Sequence, residues 1–243
     1  MIKREKIKQP FGLNENNIIV HIANVEDGKE YICTDCKMLL IAVKGDKNQH
    51  HFRHKNDNEC TGGLESSIHL AAKQVIMEKK QIRLPEFFCS AMGKDSRGKE
   101  HFERVTVVKD GTIVIFNSVE EEKELHEMRF DILAMVGAEP LIIEIYYRHK
   151  VEDVKIEKIK KANISAIEID LSDLTQEDIK DWHNFWSCIN DAQRIKWLHN
   201  AKAHTSIYLK IVKKIKAQEE HYKREEIMKL YRSRLRGRLS YRL

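Results

Sequence analysis

Residues 141–150 read LIIEIYYRHK, and the glutamate in the middle decides how the chain is read. Leu141, Ile142, Ile143, Ile145 and Tyr146 make a β-rich apolar run with the length of a buried strand. A carboxylate buried there without a partner is costly or stays protonated. Glu144 therefore needs either a core salt bridge to a Lys or Arg, or a metal ion. Asp131 stands in RFDIL, flanked by Phe130 and Ile132, on the strand before. A short turn through GAEP sets the two strands antiparallel and brings Asp131 and Glu144 near each other. Two carboxylates side by side raise each other's pKa unless a cation sits between them. Mg²⁺ suits such a pair, because it takes one or two carboxylates and otherwise water or phosphate oxygens.

A third acid comes from ESSIHLAAKQVIMEKK, whose Ile68, Ala72, Val75 and Ile76 recur at helical spacing. Glu65, His69 and Lys73 lie four residues apart and project from one stripe of that helix. Taken alone, Glu65 reads as a partner of the helix dipole and His69 and Lys73 as a solvated face. Taken with Asp131 and Glu144, the stripe reads as the third wall of a cation site.

A second constellation precedes the helix. YICTDCKMLL sets Cys33 and Cys36 in a Cys-x-x-Cys step, HHFRH offers His50, His51 and His54, and Cys60 follows in NDNEC. Two thiolates on a tight turn can share one tetrahedral Zn²⁺, and a second pair closes the site. The favoured ligands are Cys33, Cys36, His51 and His54, with Cys60 able to replace either His. The strands around them are short, so metal binding supplies folding energy that this lobe lacks. A redox role fits less well, since no helix starts after the first Cys to lower its pKa. A closed four-ligand site is structural.

The remaining features set the frame. At 243 residues, with 42% hydrophobic and 33% charged residues, the chain has the composition of a soluble globular protein. No apolar run is long enough to span a membrane, and MIKREKIKQP lacks the apolar segment of a secretory signal, so a cytoplasmic location is expected. Five Cys, an odd number, argue against a disulfide framework. The net charge of +5 is uneven: residues 201–243 hold thirteen Lys/Arg against four Asp/Glu. A basic tail on a near-neutral body suits nucleic acid. Tyr interleaved with Arg in KLYRSRLRGRLSYRL fits backbone contacts, while a solvated helix or a homo-oligomer contact is the competing reading.

Along the chain, residues 1–62 read as a small strand-rich zinc lobe, 63–174 as an α/β core and 175–243 as a helical basic region. In the core, FERVTVV and GTIVIFNSV read as a hairpin across Lys109-Asp110-Gly111. VEDVKIEKIKKAN reads as a charged helix before the strand SAIEIDLS. From Thr175 onward the pattern is helical, with Thr175 and Asp178 as a cap for TQEDIKDWHNFWSCI. Trp182 and Trp186 read as core, and Asp170 as a strand-end turn former.

Glu-x-x-x-His-x-x-x-Lys on a helix, then Arg-x-Asp, then an apolar strand with Glu resembles the PD-(D/E)XK nuclease fold. A Cys-x-x-Cys…His-Phe-x-His lobe directly before it is similar to the competence protein CoiA-like family, over about residues 31–172. The resemblance implies a mixed sheet flanked by helices and metal-assisted phosphodiester hydrolysis. Asp131 and Glu144 would ligate Mg²⁺ or Mn²⁺, with the carbonyl of Ile145 or Tyr146 as a further ligand and Glu65 completing the site. One departure matters: the pattern wants Glu-x-Lys, and the residue two after Glu144 is Tyr146. A phenol cannot orient the attacking water or offset negative charge as that Lys does. Lys155, Lys73 and His149 are the candidates to replace it. The rival classes are a DNA-binding or processing factor without turnover and a zinc-stabilised scaffold for another protein.

Overall fold

The computed structural model describes residues 7–45, 49–56, 60–122, 124–125 and 128–239, with side chains excepted at 125 and 233–239. Most of the basic N-terminal stretch and the end of the Arg-rich tail lie outside the described residues. The chain divides into two compact units, Met1–Pro85 with Asp110–Ala201, and Glu86–Lys109 with Lys202–Leu243. This differs from the boundaries at 62 and 174 expected from sequence. Residues 86–109 leave the middle of the chain for the second unit, and residues up to 201 complete the first.

The first unit opens with an antiparallel sheet of β1 (Phe11–Leu13), β2 (Ile19–His21), β3 (Tyr31–Ile32), β4 (Leu39–Val43) and β5 (His51–His54), in the order β2-β1-β3-β4-β5. Its core is small: Ile22, Tyr31, Cys33, Leu40 and Phe52. Helix α1 (Gly63–Lys79) follows at once, buries Ile68, Ala71, Ala72, Val75 and Ile76, and ends at Lys80 in the left-handed region.

β6 (Gln81–Leu84) is followed by β7 (Phe87–Lys94) and β8 (Glu100–Val108) of the second unit, and then by β9 (Thr112–Ile115). The expected hairpin across Lys109-Asp110-Gly111 does not form. β8 pairs with β7 and β9 with β6, because the chain passes from one unit to the other at that turn.

The central sheet uses β10 (Ser118–Glu121), β13 (Ile132–Val136), β14 (Glu139–Tyr146), β15 (Ser165–Asp170) and β16 (Ile195–His199), in that order. β11 (Glu124–Leu125) and β12 (Met128–Arg129) form a small ladder beside the chain entering β13. All neighbours in the central sheet are antiparallel except β14 and β15, which run parallel through the crossover helix α2 (Asp153–Ala162). The fold is mixed α/β. Ile142 and Ala166 on one sheet face pack with Ile159, Ile164, Met128 and Phe130, and Ile143 and Ile167 are fully buried on the other.

The region after Thr175 is less helical than expected. Thr175 and Asp178 bond each other in a separate turn, and helix α3 (Trp182–Ile189) is capped instead by Asp181, whose Oδ1 accepts from Asn184 N at 2.8 Å. IKWLH is a short edge strand, β16, paired to β15 with a bulge at Ala166/Ile167. Trp182 packs against Phe11 at 5.1 Å between ring centres, a core placement.

The second unit is the β7–β8 ribbon packed on α4 (Ala203–Leu239), a helix of 37 residues. A Cβ at Gly93 would lie 2.8 Å from Ile215 Cδ1, so glycine is what lets helix and ribbon touch. Asp95 at the ribbon tip gathers four donors: Arg97 N and Lys99 N on Oδ1, His101 Nε2 (2.8 Å) and Tyr222 OH (2.9 Å) on Oδ2. Ser96 donates twice to Glu219, Lys214 pairs with Glu103 at 2.6 Å, and Arg97 lies over the Tyr222 ring and reaches Glu225 and Glu226. Among the described residues, no helix is long and apolar enough to cross a membrane.

Candidate functional site

The Cys-x-x-Cys step occupies the tight turn between β3 and β4, where Cys33 N donates to Met38 O and Lys37 N to Cys33 O. His54 ends β5 and Cys60 precedes α1. The ligand atoms of Cys33, Cys36, His54 and Cys60 all lie within 4.8 Å of one another. Cys36 Sγ is 3.2 Å from His54 Nε2, and Cys33 Sγ is 3.8 Å from Cys60 Sγ. This Cys₃His cluster can hold a structural metal such as zinc. Burial, the Asp35 carboxylate and the neighbouring thiols push the Cys60 thiol up to about 12. A divalent cation is what would let such crowded thiols ionise together.

His51, expected as the fourth ligand, is not in the cluster. Its Nδ1 lies 2.8 Å from Gln49 O, and Cys60 stands in its place. The reason is strand parity. His51 and His54 are three apart on β5, so their side chains leave opposite faces and only one can reach the thiols. The Gly62–Gly63 pair also has a local cause. A Cβ on Gly63 would lie 3.0 Å from Cys33 Sγ and 3.3 Å from Cys60 Sγ, and one on Gly62 would lie 2.5 Å from Asp35 Oδ2.

The carboxylates sit at one end of the central sheet. Ile132 is in register with Ile143, so Asp131 enters β13 beside the exit of β14, and its Oδ2 accepts from Ile145 N at 2.8 Å. Glu144 is buried on the α2 face. Lys155 Nζ of α2 lies 2.7 Å from both carboxylate oxygens, with its hydrogen bond aimed at Oε2 and Oε1 held as the ion-pair contact. Burial, then the charge on Asp131, push Glu144 up to about 7, against the opposing pull of Lys155.

From α1, His69 Nε2 lies 2.7 Å from Ile145 O and its Nδ1 is 3.6 Å from Asp131 Oδ1. Lys73, nearly buried, bonds Glu122 at 2.9 Å and stands 4.0 Å from Asp131. Glu65 does not join them. Arg148 at 3.8 Å and His149 at 3.9 Å, on the chain leaving β14, hold it instead. Among the described residues the only group of three or more His, Cys, Asp or Glu able to share an ion is the Cys₃His cluster, so Glu65, Asp131 and Glu144 do not converge as three ligands. His149 is 88% exposed and faces Glu65, not the Asp131–Glu144 pair. The carbonyls of Ile145 and Tyr146, expected as further ligands, face His69 and accept from Leu171 N, respectively.

One residue escaped the sequence reading. Glu168 is the register partner of Glu144 on β15, buried on the same sheet face, with Oε2 accepting from Val151 N at 3.0 Å. Its signal was the repeated apolar-Glu-apolar pattern of IIEIY and AIEID, which puts both acids in phase once the strands run parallel.

The lobe is a small antiparallel sheet closed by a Cys₃His cluster able to hold a metal, set directly before a mixed α/β core. Residues 15–62, which contain all four knuckle ligands, match the family model described as Competence protein CoiA, N-terminal domain. The match points to a competence-related family. No curated protein and no solved structure matches the chain.

Proposed function

We propose that the chain is a cytoplasmic, competence-related nuclease on the PD-(D/E)XK pattern, hydrolysing phosphodiester bonds in DNA. Asp131 and Glu144 form its ion-holding pair, and Lys155 fills the role of the absent strand lysine. The observation that carries this reading is Lys155, whose ammonium stands 2.7 Å from the buried Glu144 carboxylate beside Asp131. The order α1, β10, β13, β14, α2, β15, with the acids entering on successive strands, fits the same pattern.

The donor set suits a divalent cation: two neighbouring carboxylates, the buried one balanced by a single ammonium. When bound, such an ion lowers the pKa of a water and offsets phosphate charge. The chain's own residues do the rest. Asp131 ties the exit of β14 to the start of β13, and His69 holds Ile145 O from the helix side. Lys155 offers a cation to orient a nucleophilic water and offset developing negative charge.

Labelled single- and double-stranded DNA and RNA, incubated with Mg²⁺ or Mn²⁺, test the reading. Cleavage that needs the ion and vanishes in Asp131→Ala and Glu144→Ala supports it; cleavage retained in both variants ends it. One observation favours a second reading, nucleic-acid binding without turnover: Glu65 is engaged by Arg148 and His149 and completes no three-acid set. Salt-sensitive binding with no cleavage under any ion would establish that reading instead.

A further inference from the structure

The two faces of the β7–β8 ribbon are unlike. Its inner face meets α4: Gly93 lies against Ile215, and Glu103 pairs with Lys214. Strand alternation sends the next set of side chains outward, where the register places Phe88 opposite Thr106, Ser90 opposite Arg104 and Met92 opposite Phe102. Phe88 is 47% exposed, Met92 67% and Phe102 57%, so three large apolar side chains stand in water on one face. Such a face marks an interaction surface. Its two rings occupy register positions about 14 Å apart along the ribbon, with Arg104 between them.

Charge identifies what this face meets. The unit formed by residues 86–109 and 202–243 holds eighteen Lys/Arg and eight Asp/Glu, whereas the rest of the chain holds twenty-five and thirty. A basic unit on an acidic one draws a polyanion to itself. On the outer face Glu100 is neutralised by Lys94 at 3.1 Å. Arg104 has no carboxylate partner among the described residues, and its guanidinium lies 3.5 Å over the centre of the Phe88 ring. An apolar protein surface closing over the face would strand that charge without water or a counter-ion, at a cost of several kcal/mol by general desolvation arguments, on the order of those for any buried unpaired ion. A phosphate satisfies the guanidinium, and bases cover the rings. A duplex keeps its bases stacked on one another; a strand with unpaired bases can splay them onto aromatic side chains.

We infer that the outer face of the ribbon is a stacking platform for single-stranded nucleic acid: Phe88 and Phe102 each take an unpaired base, and Arg104 takes a phosphate of the backbone between them. The inference rests on the nucleic-acid side of the reading above, to which it adds a surface and a strand state, and it is independent of cleavage.

Fluorescence anisotropy tests it, with labelled oligo(dT), oligo(rU) and a mixed-sequence duplex, each about 15 nucleotides long, titrated with the full zinc-loaded chain without added Mg²⁺. Both single strands are expected to bind about tenfold or more tighter than the duplex. Phe88→Leu with Phe102→Leu keeps the face apolar and the inner packing intact. This pair should weaken binding of both single strands by about 10- to 100-fold and leave duplex affinity unchanged, because the rings read base faces and not the sugar. Arg104→Gln should reduce the slope of log affinity against log salt by about 0.7, a slope the leucine pair should not move. Single-strand affinity unchanged in the leucine pair overturns the platform while leaving nucleic-acid binding in place, and so does a duplex bound as tightly as the single strands. Oligonucleotides that fail to bind at all overturn both readings and leave the face to an apolar protein partner.

Discussion

Two carboxylates near the interior, one in each unit, are held in opposite ways. Asp95 has both oxygens saturated, by two backbone N–H groups, His101 and Tyr222, and these donors take it down to about 2 despite burial. Glu144 has a single ammonium, 2.7 Å from either oxygen, and a like-charged neighbour, and burial with that neighbour pushes it up to about 7. A carboxylate that only braces a fold is given every donor it can use, because each unmet lone pair costs stability. One that must exchange partners during chemistry is left short of them. The contrast supports the role proposed for Glu144 and a bracing role for Asp95.

The largest test of that contrast is chemical. Glu144→Gln should lower divalent-dependent cleavage by about 100- to 1,000-fold in a labelled-DNA assay, whereas Asp95→Asn should leave cleavage per folded molecule within about twofold. Next comes stability. A carboxyl whose pKa rises on folding gives stability that is fully present below its ordinary value of 4.5 and declines as pH climbs to about 7. Glu144→Gln should therefore gain up to about 3 kcal/mol on the wild type above pH 7 in urea titrations, and nothing below pH 4. Asp95 has the opposite sign: its contribution is present above 3.8 and fades as pH falls toward about 2. Asp95→Asn should cost amide-exchange protection in the ribbon at pH 7 and not at pH 2.

Lys155→Met sharpens the same point at smaller scale. Removing the cation leaves Glu144 with burial and Asp131 alone, so its apparent pKa should move further up by proton-coupled NMR titration, with cleavage falling about 10- to 100-fold. The smallest effect expected is at His51. His51→Ala should keep one zinc per chain by elemental analysis, whereas His54→Ala or Cys60→Ser should lose it, and the reverse result would restore the ligand set read from spacing alone.

Much of this is legible in the sequence. The helix Gly63–Lys79, the β13–β14 pair and the first two thiols follow from periodicity, turn chemistry and the Cys-x-x-Cys step, all local signals. His51 failed because spacing along the chain was weighed without the two-residue alternation of β5, which the buried Phe52 already implied. Glu65 failed because its partners, Arg148 and His149, come from a loop whose path is set by tertiary packing. The ribbon was lost for another reason: its outer positions Phe88, Met92 and Phe102 are exposed, so apolarity there did not mark a core. β16 carries only five residues of alternation inside helical flanks, too few to outweigh them.

The discontinuous second unit has a consequence for synthesis. The strands at 87–94 and 100–108 leave the ribosome roughly 100 residues before the helix that supplies Ile207 and Ile211, a delay of about 5–20 seconds at ordinary elongation rates. A two-stranded ribbon is marginal alone, so through that interval its hydrogen-bonding rims and its Phe-rich side stay available to any nascent neighbour. Yield at high expression temperature should therefore be limited by the wait for α4, and slowing translation between residues 110 and 200 should worsen it.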